Sequence, residues 1–462
     1  MRPARLIALA LVVLGLGAYI YFVERHKPST DELKERQDKL FPTFEQAKAQ
    51  KVVVTNSHGR FELVKEKEDW KLVVPLADAA NGGAVTGLLS SLAGLKSERT
   101  LEAKEVKLAD YGLDKPPLSI SVTSEGGGEI TLKMGAEMPL GNNRAALVGG
   151  DKVYLVSKFI STDLDKDLAG WRSNDLAQIY ATDVASLTVK DAAARVALAH
   201  TGNLWTLTEP IADLAERERA DGVVSDIGAA QIKEFLDSPG DLAALGLQPP
   251  LVEVTLVRKD NAAPLLLAFG SEREVASAKQ RACKRGERVF WVEASAANRA
   301  VTALADWRAK KLVSLDTWAA DKLELEAGKE KAALERKDGV WKTGSVEVDG
   351  DQVSRRLGVL SDLLVVAYDR PKPSGTPSGH VKVTADQGAV IEATFYPGGS
   401  DGEAIAVVPG RAGALAVDSA RAGELLADVP SLARPKPTPT PAVTPTAAPT
   451  ATTATPAPAS AS

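Results

Sequence analysis

The stretch LADWRAKKL, Leu304–Leu312, repeats LAGWRSNDL, Leu168–Leu176, at a spacing of 136 residues. Both read Leu-Ala-x-Trp-Arg-x-x-x-Leu. A duplicated unit constrains a fold more strongly than local propensity does, and landmarks with the same spacing run through the rest of the 462-residue chain.

Tryptophan supplies the first set. Trp70 lies in FELVKEKEDWKLVVP, Trp205 in VALAHTGNLWTLTEP and Trp341 in AALERKDGVWKTGSV, spaced 135 and 136 residues apart. Each follows two short alternating runs joined by a polar turn, the pattern of a β-hairpin. The first two continue as Trp-x-Leu-x-x-Pro, to Pro75 and Pro210. Helical periodicity comes next. In AVTGLLSSLAGL, the residues Val85, Leu88, Leu89, Leu92 and Leu95 share one face; in DQVSRRLGVLSDLL, Val353, Leu357, Leu360 and Leu364 do the same. The middle counterpart, DGVVSDIGAAQIKEFL, is looser. A Gly-Leu-x-(x)-Pro-Pro turn into an alternating strand follows in YGLDKPPLSISV and LGLQPPLVEVTL, at Gly112 and Gly246. LKMG matches LAFG at Gly135 and Gly270, DKVYLVS matches ERVFWVE at Val153 and Val289, and the Leu-Ala-x-Trp-Arg block closes each unit at Trp171 and Trp307.

Six anchors that keep register to one or two positions over more than a hundred residues are not coincidence. They predict an α+β fold built of tandem repeats, each an antiparallel sheet with packed helices, of about 135 residues, a typical domain size. The tryptophans are expected to be buried, pinning sheet to helix, because a ligand contact would differ from copy to copy. Arg172 and Arg308 are expected to pair with a carboxylate of their own domain. The third copy has Trp341, the helix, and GALAVDSARAGELLAD in place of the later strand and helix. It lacks the Gly-Leu-x-Pro turn and reaches LADVPSL where Trp-Arg would stand, as a shortened terminal repeat does.

The N-terminus bears on location. LIALALVVLGLGAYIYFV, residues 6–23, holds 18 uncharged residues, about 27 Å of helix, enough to cross the hydrocarbon layer. Arg2 and Arg5 precede it and Tyr19 and Tyr21 lie near its far end, which orients an anchor with its N-terminus in the cytoplasm. The competing reading, a cleaved signal peptide, has Gly15 and Gly17 as its best small pair, and no clean Ala-x-Ala follows the run. The expected organisation is a cytoplasmic N-terminus (1–5), a transmembrane anchor (6–23), a charged juxtamembrane stalk (24–50), α+β repeats at 51–180 and 181–318, a degenerate repeat at 319–432, and a Pro/Thr/Ala-rich tail (433–462) that cannot bury a core.

Little in the sequence points to a reaction. A net charge of −5 gives no basic footprint for nucleic acid. The four histidines, His26, His58, His200 and His380, are not at zinc spacing, and there is no phosphate loop or nucleophile elbow. Asp163, Asp165 and Asp167 have the one-three-five spacing of a calcium loop, but Leu168 stands where that loop needs glycine and Asn174 where it needs glutamate. They read as a solvated helix face. Cys283, the single cysteine, has the basic flank RACKRG, which would lower its pKa; it reads as an incidental loop cysteine. No catalytic, cofactor-binding or metal-ligating residue is assigned. The positions singled out are the structural anchors Trp70, Trp205, Trp341, Gly112, Gly246, Gly135, Gly270, Trp171 and Trp307.

The order hairpin, Trp-x-Leu-x-x-Pro, helix, Tyr-Gly-Leu-x-x-Pro, strand, Leu-x-x-Gly and Tyr-x-Val strand resembles the bacterial family catalogued as domain of unknown function 4340, over residues 50–430. That resemblance implies an N-terminal anchor and a gene neighbourhood that often includes ABC exporters of the gliding-motility type, and it transfers no catalytic residue. The expectation is a non-catalytic protein of the inner membrane. Its extracytoplasmic repeats would bind or scaffold ABC transporter subunits or other envelope proteins, without a cofactor. The alternatives are an envelope hydrolase of cell-wall glycans, since 61 acidic residues must include close carboxylate pairs, or an extracytoplasmic ligand-binding receptor.

Overall fold

The computed structural model describes residues 39–436 except 140, 151, 302, 386–387 and 399–401. The anchor segment 6–23, most of the stalk and the tail from 437 lie outside the described residues. Among those described, no helix is long and apolar enough to cross a membrane.

The first copy starts with a meander, β1 (Ala49–Asn56), β2 (Gly59–Glu66), β3 (Asp69–Val74) and the short β4 (Asp78–Ala79). A second meander follows the helix: β6 (Leu118–Ser124), β7 (Glu129–Glu137), β8 (Asn143–Val148) and β9 (Lys152–Ser157). The two meanders join through β1 and β6, which places Val52 opposite Val122 and Val54 opposite Ile120. On the other flank Val52 and Val54 face Leu63 and Phe61 of β2. All six of these side chains are buried. Because strand side chains alternate, this register gathers the apolar set on one face of the sheet. The helix Gly82–Gly94 buries Val85, Leu88, Leu89 and Leu92 in that core. Asn81 caps it, its side chain accepting from the Ala84 amide at 3.0 Å. The chain then crosses to the far edge of the sheet, where β5 (Ser97–Glu102) pairs with β9. The strand order is β4-β3-β2-β1-β6-β7-β8-β9-β5.

The same nine-stranded order recurs twice. The second copy runs through β10 (Val184–Asp191), β11 (Arg195–Thr201), β12 (Leu204–Glu209), β13 (Asp213–Leu214), the helix Arg217–Ala229, β14 (Ile232–Leu236), β15 (Val252–Arg258), β16 (Leu265–Val275), β17 (Ala278–Arg285) and β18 (Arg288–Glu293). The third comprises β19 (Ala320–Ala327), β20 (Glu330–Lys337), β21 (Val340–Thr343), β22 (Val346–Glu347), the helix Gly350–Asp362, β23 (Val365–Arg370), β24 (Gly379–Ala385), β25 (Ala389–Pro397), β26 (Glu403–Val407) and β27 (Ala414–Asp418), with the helix Ser419–Leu426 behind it. The α+β repeat architecture is therefore established for three copies. Leu364 departs from its expected place on the third helix face. The helix ends at Asp362, Leu363 takes the buried position, and Leu364 is 53% exposed at the approach to β23, where the helical period no longer applies.

By packing, the described chain forms two compact units. One comprises residues to 178 with 227–248 and 270–296, that is, the first copy together with β14, β17 and β18. Its main core includes Trp70 and Trp171, and takes in Phe41 with Leu40 and Phe44 packed against it. The other comprises 179–226, 249–269 and the residues from 297 onward, that is, the third copy together with β10–β13 and β15. Its core includes Trp341, Leu312 and the helix residues Val353, Leu357 and Leu360.

Candidate functional site

The anchors predicted from sequence are packing residues. Trp70, Trp205 and Trp341 are buried at 9%, 0% and 6% exposure, each in the equivalent strand β3, β12 or β21. Trp171 and Trp307 are fully enclosed. The indole of Trp205 donates to Asp221 at 2.8 Å and that of Trp171 to the Lys166 carbonyl at 3.2 Å, so their polar edges are satisfied. The glycine landmarks meet in pairs. Gly112 and Gly246 both sit at φ +65°, ending the turn that precedes β6 and β15. Each lies against its partner: a Cβ on Gly135 would fall 2.0 Å from the Tyr111 carbonyl oxygen, and one on Gly270 2.1 Å from that of Leu245. Only glycine permits that approach.

The other candidates fall away from any common site. Cys283 is in strand β17, not a loop, and burial pushes its thiol up to about 12, above the opposing effect of Arg285. Asp163 accepts from Ser91 at 2.6 Å, Asp165 from Ser57 at 3.1 Å, and Asp167 caps the short helix Leu168–Trp171. His58 lies in the β1–β2 turn, His200 stacks on Trp205 at 4.2 Å, and His380 is in β24; His26 lies outside the described residues. Among the described residues no group of three or more His, Cys, Asp or Glu is placed to hold a metal ion.

What does recur is a joint built on the arginine of Trp-Arg. In the first unit, backbone bonds dock the Trp-Arg block on the end of the hairpin: Asn81 N–H donates to Trp171 O at 2.9 Å and Ser173 N–H to Ala79 O at 2.9 Å. This draws Arg172, 2% exposed, against β4, where its Nε donates to Asp78 at 2.8 Å. Its Nη1 reaches both oxygens of Asp237, at 2.8 and 3.0 Å, and the guanidinium lies 3.8 Å over the Phe235 ring. Arg288, at the start of β18, also pairs with Asp78 and donates to the Ala77 carbonyl.

The second unit contains the same device. Glu216 N–H donates to Trp307 O at 2.8 Å and Ala309 N–H to Leu214 O at 2.9 Å. Arg308 Nε donates to Asp213 at 2.5 Å, its Nη1 to Asp369 at 2.7 Å, and the guanidinium lies 4.3 Å over Tyr368. Arg411 closes the far side of Asp213 and spends its other donors on the carbonyls of Ala309, Lys311 and Leu312, at 2.8–3.0 Å. Tyr368 donates its hydroxyl to the carbonyls of Arg308 and Ala309, and burial raises its pKa despite the nearby Arg411 and Arg308. Each arginine of Trp-Arg thus pairs with a carboxylate of its own copy, as expected, and also with one of the next copy. Asp78 and Asp213 are each buried between two guanidiniums, whereas Asp237 and Asp369 each meet one arginine and are 51% and 69% exposed.

Sequence reading missed the partners, although a signal was present. Asp78 follows Pro75 in PLAD and Asp213 follows Pro210 in PIAD, again 135 residues apart. In the third copy Pro435 bridges Val348 where Arg172 bridges Ala80 and Arg308 bridges Ala215, and Val346 stands where the aspartate would be. The third copy keeps the backbone dock, with Lys436 N–H on Glu347 O at 3.1 Å, but loses the ion pair.

A groove opens beside each joint. In the first unit it encloses about 940 Å³ and is lined by Trp70, Val73, Ala177, Arg285 and Arg288, with Glu68 and Asp69 of the hairpin tip among its residues. In the second it encloses about 440 Å³ and is mainly aliphatic, with Leu204, Leu214, Leu312, Val390 and Val408 around Arg411. Equivalent positions thus carry different surface chemistry: Asp69 in one hairpin corresponds to Leu204 in the other.

The family profile described as Domain of unknown function (DUF4340) matches residues 70–250 and 205–378. The two matches begin at Trp70 and Trp205, and each spans the arginine of one Trp-Arg block with its two aspartates, from Asp78 to Asp237 and from Asp213 to Asp369. No curated protein matches the chain. Together the two matches extend over more than half of the sequence, and the chain belongs to the domain of unknown function 4340 family.

Proposed function

We propose that the chain is a non-catalytic component of the cell envelope. Residues 6–23 anchor it in the inner membrane with the N-terminus cytoplasmic, and the extracytoplasmic repeats serve as a binding scaffold accessory to an ABC transporter. The observation that carries this reading is the repeated joint with its changing groove. Trp-Arg and its aspartates recur at both joints, with Phe235 or Tyr368 under the guanidinium, whereas the adjoining grooves differ in size and polarity. A scaffold needs that division between constant packing residues and variable surface residues. The uncharged run at 6–23 supports the anchor.

The test is photo-crosslinking in native membranes from residues at the groove rims, such as Leu204 and Val73. Capture of transporter subunits is expected. Crosslinking that enriches no membrane transporter subunit from either rim refutes the partner, and release of the chain from membranes by salt alone refutes the anchor.

A further inference from the structure

We infer that the groove beside the first joint binds an organic monocarboxylate, held by Arg285 with Arg288. This deepens the reading of the grooves as binding surfaces and is independent of the transporter as partner. The argument starts from a charge count. The first joint brings together three guanidiniums, Arg172, Arg285 and Arg288, and two carboxylates, Asp78 and Asp237. Asp78 is already shared by Arg172 and Arg288, and Asp237 is taken by Arg172. Arg285 donates to the Leu176 carbonyl and lies 5.3 Å over the Phe290 ring, but forms no ion pair among the described residues. The second joint is balanced: Arg308 and Arg411 face Asp213 and Asp369, and by strand register Val408 stands where Arg285 does. The first joint therefore carries one cation more than its own carboxylates neutralise.

A guanidinium cannot lose its proton in a protein, so a desolvated one needs an anion. Burial lowers the pKa of Arg285, and the neighbouring Arg288 and Arg172 lower it further against the pull of Asp78. Of the other carboxylates lining the groove, Glu66 pairs with Lys71 and Asp175 accepts from the Gln231 side chain at 2.9 Å, and among the described residues neither forms an ion pair with Arg285. Both Arg285 and Arg288 line the groove, whose volume of about 940 Å³ falls within the range of small-ligand sites. Arginine is the side chain suited to carboxylate recognition through paired N–H donors. Val73, Ala77 and Ala177 supply apolar wall for an organic body. Glu68 and Asp69 at the hairpin tip oppose a highly charged anion, which selects a single negative charge.

The experiment titrates the full-length chain calorimetrically with benzoate and with trialanine, each beside its neutral counterpart, benzamide and trialanine amide. Saturable binding of the acids, with a Kd on the order of 1 mM, and at least about tenfold weaker binding of the amides is expected. Arg285→Gln should weaken acid binding at least about tenfold, with Arg285→Lys between the two. Tighter binding of trialanine than of benzoate assigns the ligand to a peptide C-terminus, and the reverse assigns it to a small acid; either supports the site. Equal binding of acid and amide by the unmodified chain, or no saturation by either acid, overturns it, and neither result depends on a variant folding. Carboxylate binding by a chain that captures no transporter subunit supports the site and removes only the proposed partner.

Discussion

Replacing Asp213 with asparagine tests whether the joint holds the second unit together. Asp213 is fully buried, and so are the two guanidiniums that share it: Arg308 is 3% and Arg411 2% exposed at the side chain. The substitution keeps the shape but leaves two enclosed cations without their common anion. Breaking a buried ion pair from one side costs roughly 3–5 kcal/mol, because the surviving charge stays desolvated. Here the lower end applies. Arg308 keeps Asp369, and Arg411 keeps three backbone carbonyls. A loss of about 3 kcal/mol is roughly a hundredfold change in an opening equilibrium. Native-state hydrogen exchange reads it directly. The amides of Ala309 and Leu312, bonded to Leu214 O and Leu363 O, should exchange about a hundredfold faster in Asp213→Asn. The control is Glu209→Gln, which breaks the Arg195–Glu209 pair, 55% and 52% exposed, and should shift stability by no more than about 1 kcal/mol. Raising the salt concentration should weaken the control pair and leave the joint unchanged. Exchange in Asp213→Asn within a few-fold of the unmodified chain would refute the assignment of the joint as a packing device.

Four further outcomes follow from particular residues. Gly135→Ala should destabilise by about 1–3 kcal/mol in urea unfolding, since its Cβ meets the Tyr111 carbonyl and the Gly112 turn must move off β7. Gly358→Ala, in the third-copy helix with open space at its Cβ, should instead gain about 0.5–1 kcal/mol. Trp318→Ser should stay within about 0.5 kcal/mol because Trp318 is 71% exposed, whereas Trp307→Ala should cost about 3–5 kcal/mol; urea midpoints distinguish them. Cys283 should resist iodoacetamide in the native chain at pH 8, its thiolate fraction being on the order of 10⁻⁴, and react at the rate of an ordinary thiol once unfolded. Its contribution to stability is fully present below the unfolded thiol value of about 8.5 and is lost as pH rises toward the native value of about 12.

The repeat and its element types were legible because a packed core leaves a periodic trace. The alternation in β1 and the helical stripe at Val85, Leu88, Leu89 and Leu92 each follow from a one-sided burial requirement. The crossing of β5 to the far edge was not legible. SERTLE has no buried residue, so nothing in its pattern marks a strand. Its place is fixed by pairing with β9, a long-range contact that leaves no local signature. The joint was half legible. Trp-Arg announced itself through tryptophan, but Asp78, Asp237 and Arg288 come from three separate segments, and only the Pro-x-Ala-Asp recurrence at Asp78 and Asp213 was there to be read. Leu364 was misplaced because a helical period was continued two residues past the end of the helix at Asp362.

The constancy of the joint and the variability of the groove have one physical origin. A buried guanidinium admits few substitutions, since lysine cannot reproduce a fork that reaches Asp78, Asp237 and a ring face together. The residues on the outer wall of the groove carry no such demand. Asp69 and Leu204 occupy the same hairpin position in successive copies, one serving a polar groove and the other an aliphatic one, without disturbing the Trp-Arg block behind them. The third copy shows the converse. With Val346 and Pro435 in place of aspartate and arginine, the backbone dock survives and the charged clamp does not. The ion pair is therefore not needed to close a single copy. Its carboxylate partners in the next copy, Asp237 and Asp369, make it instead a tie from one repeat to the next.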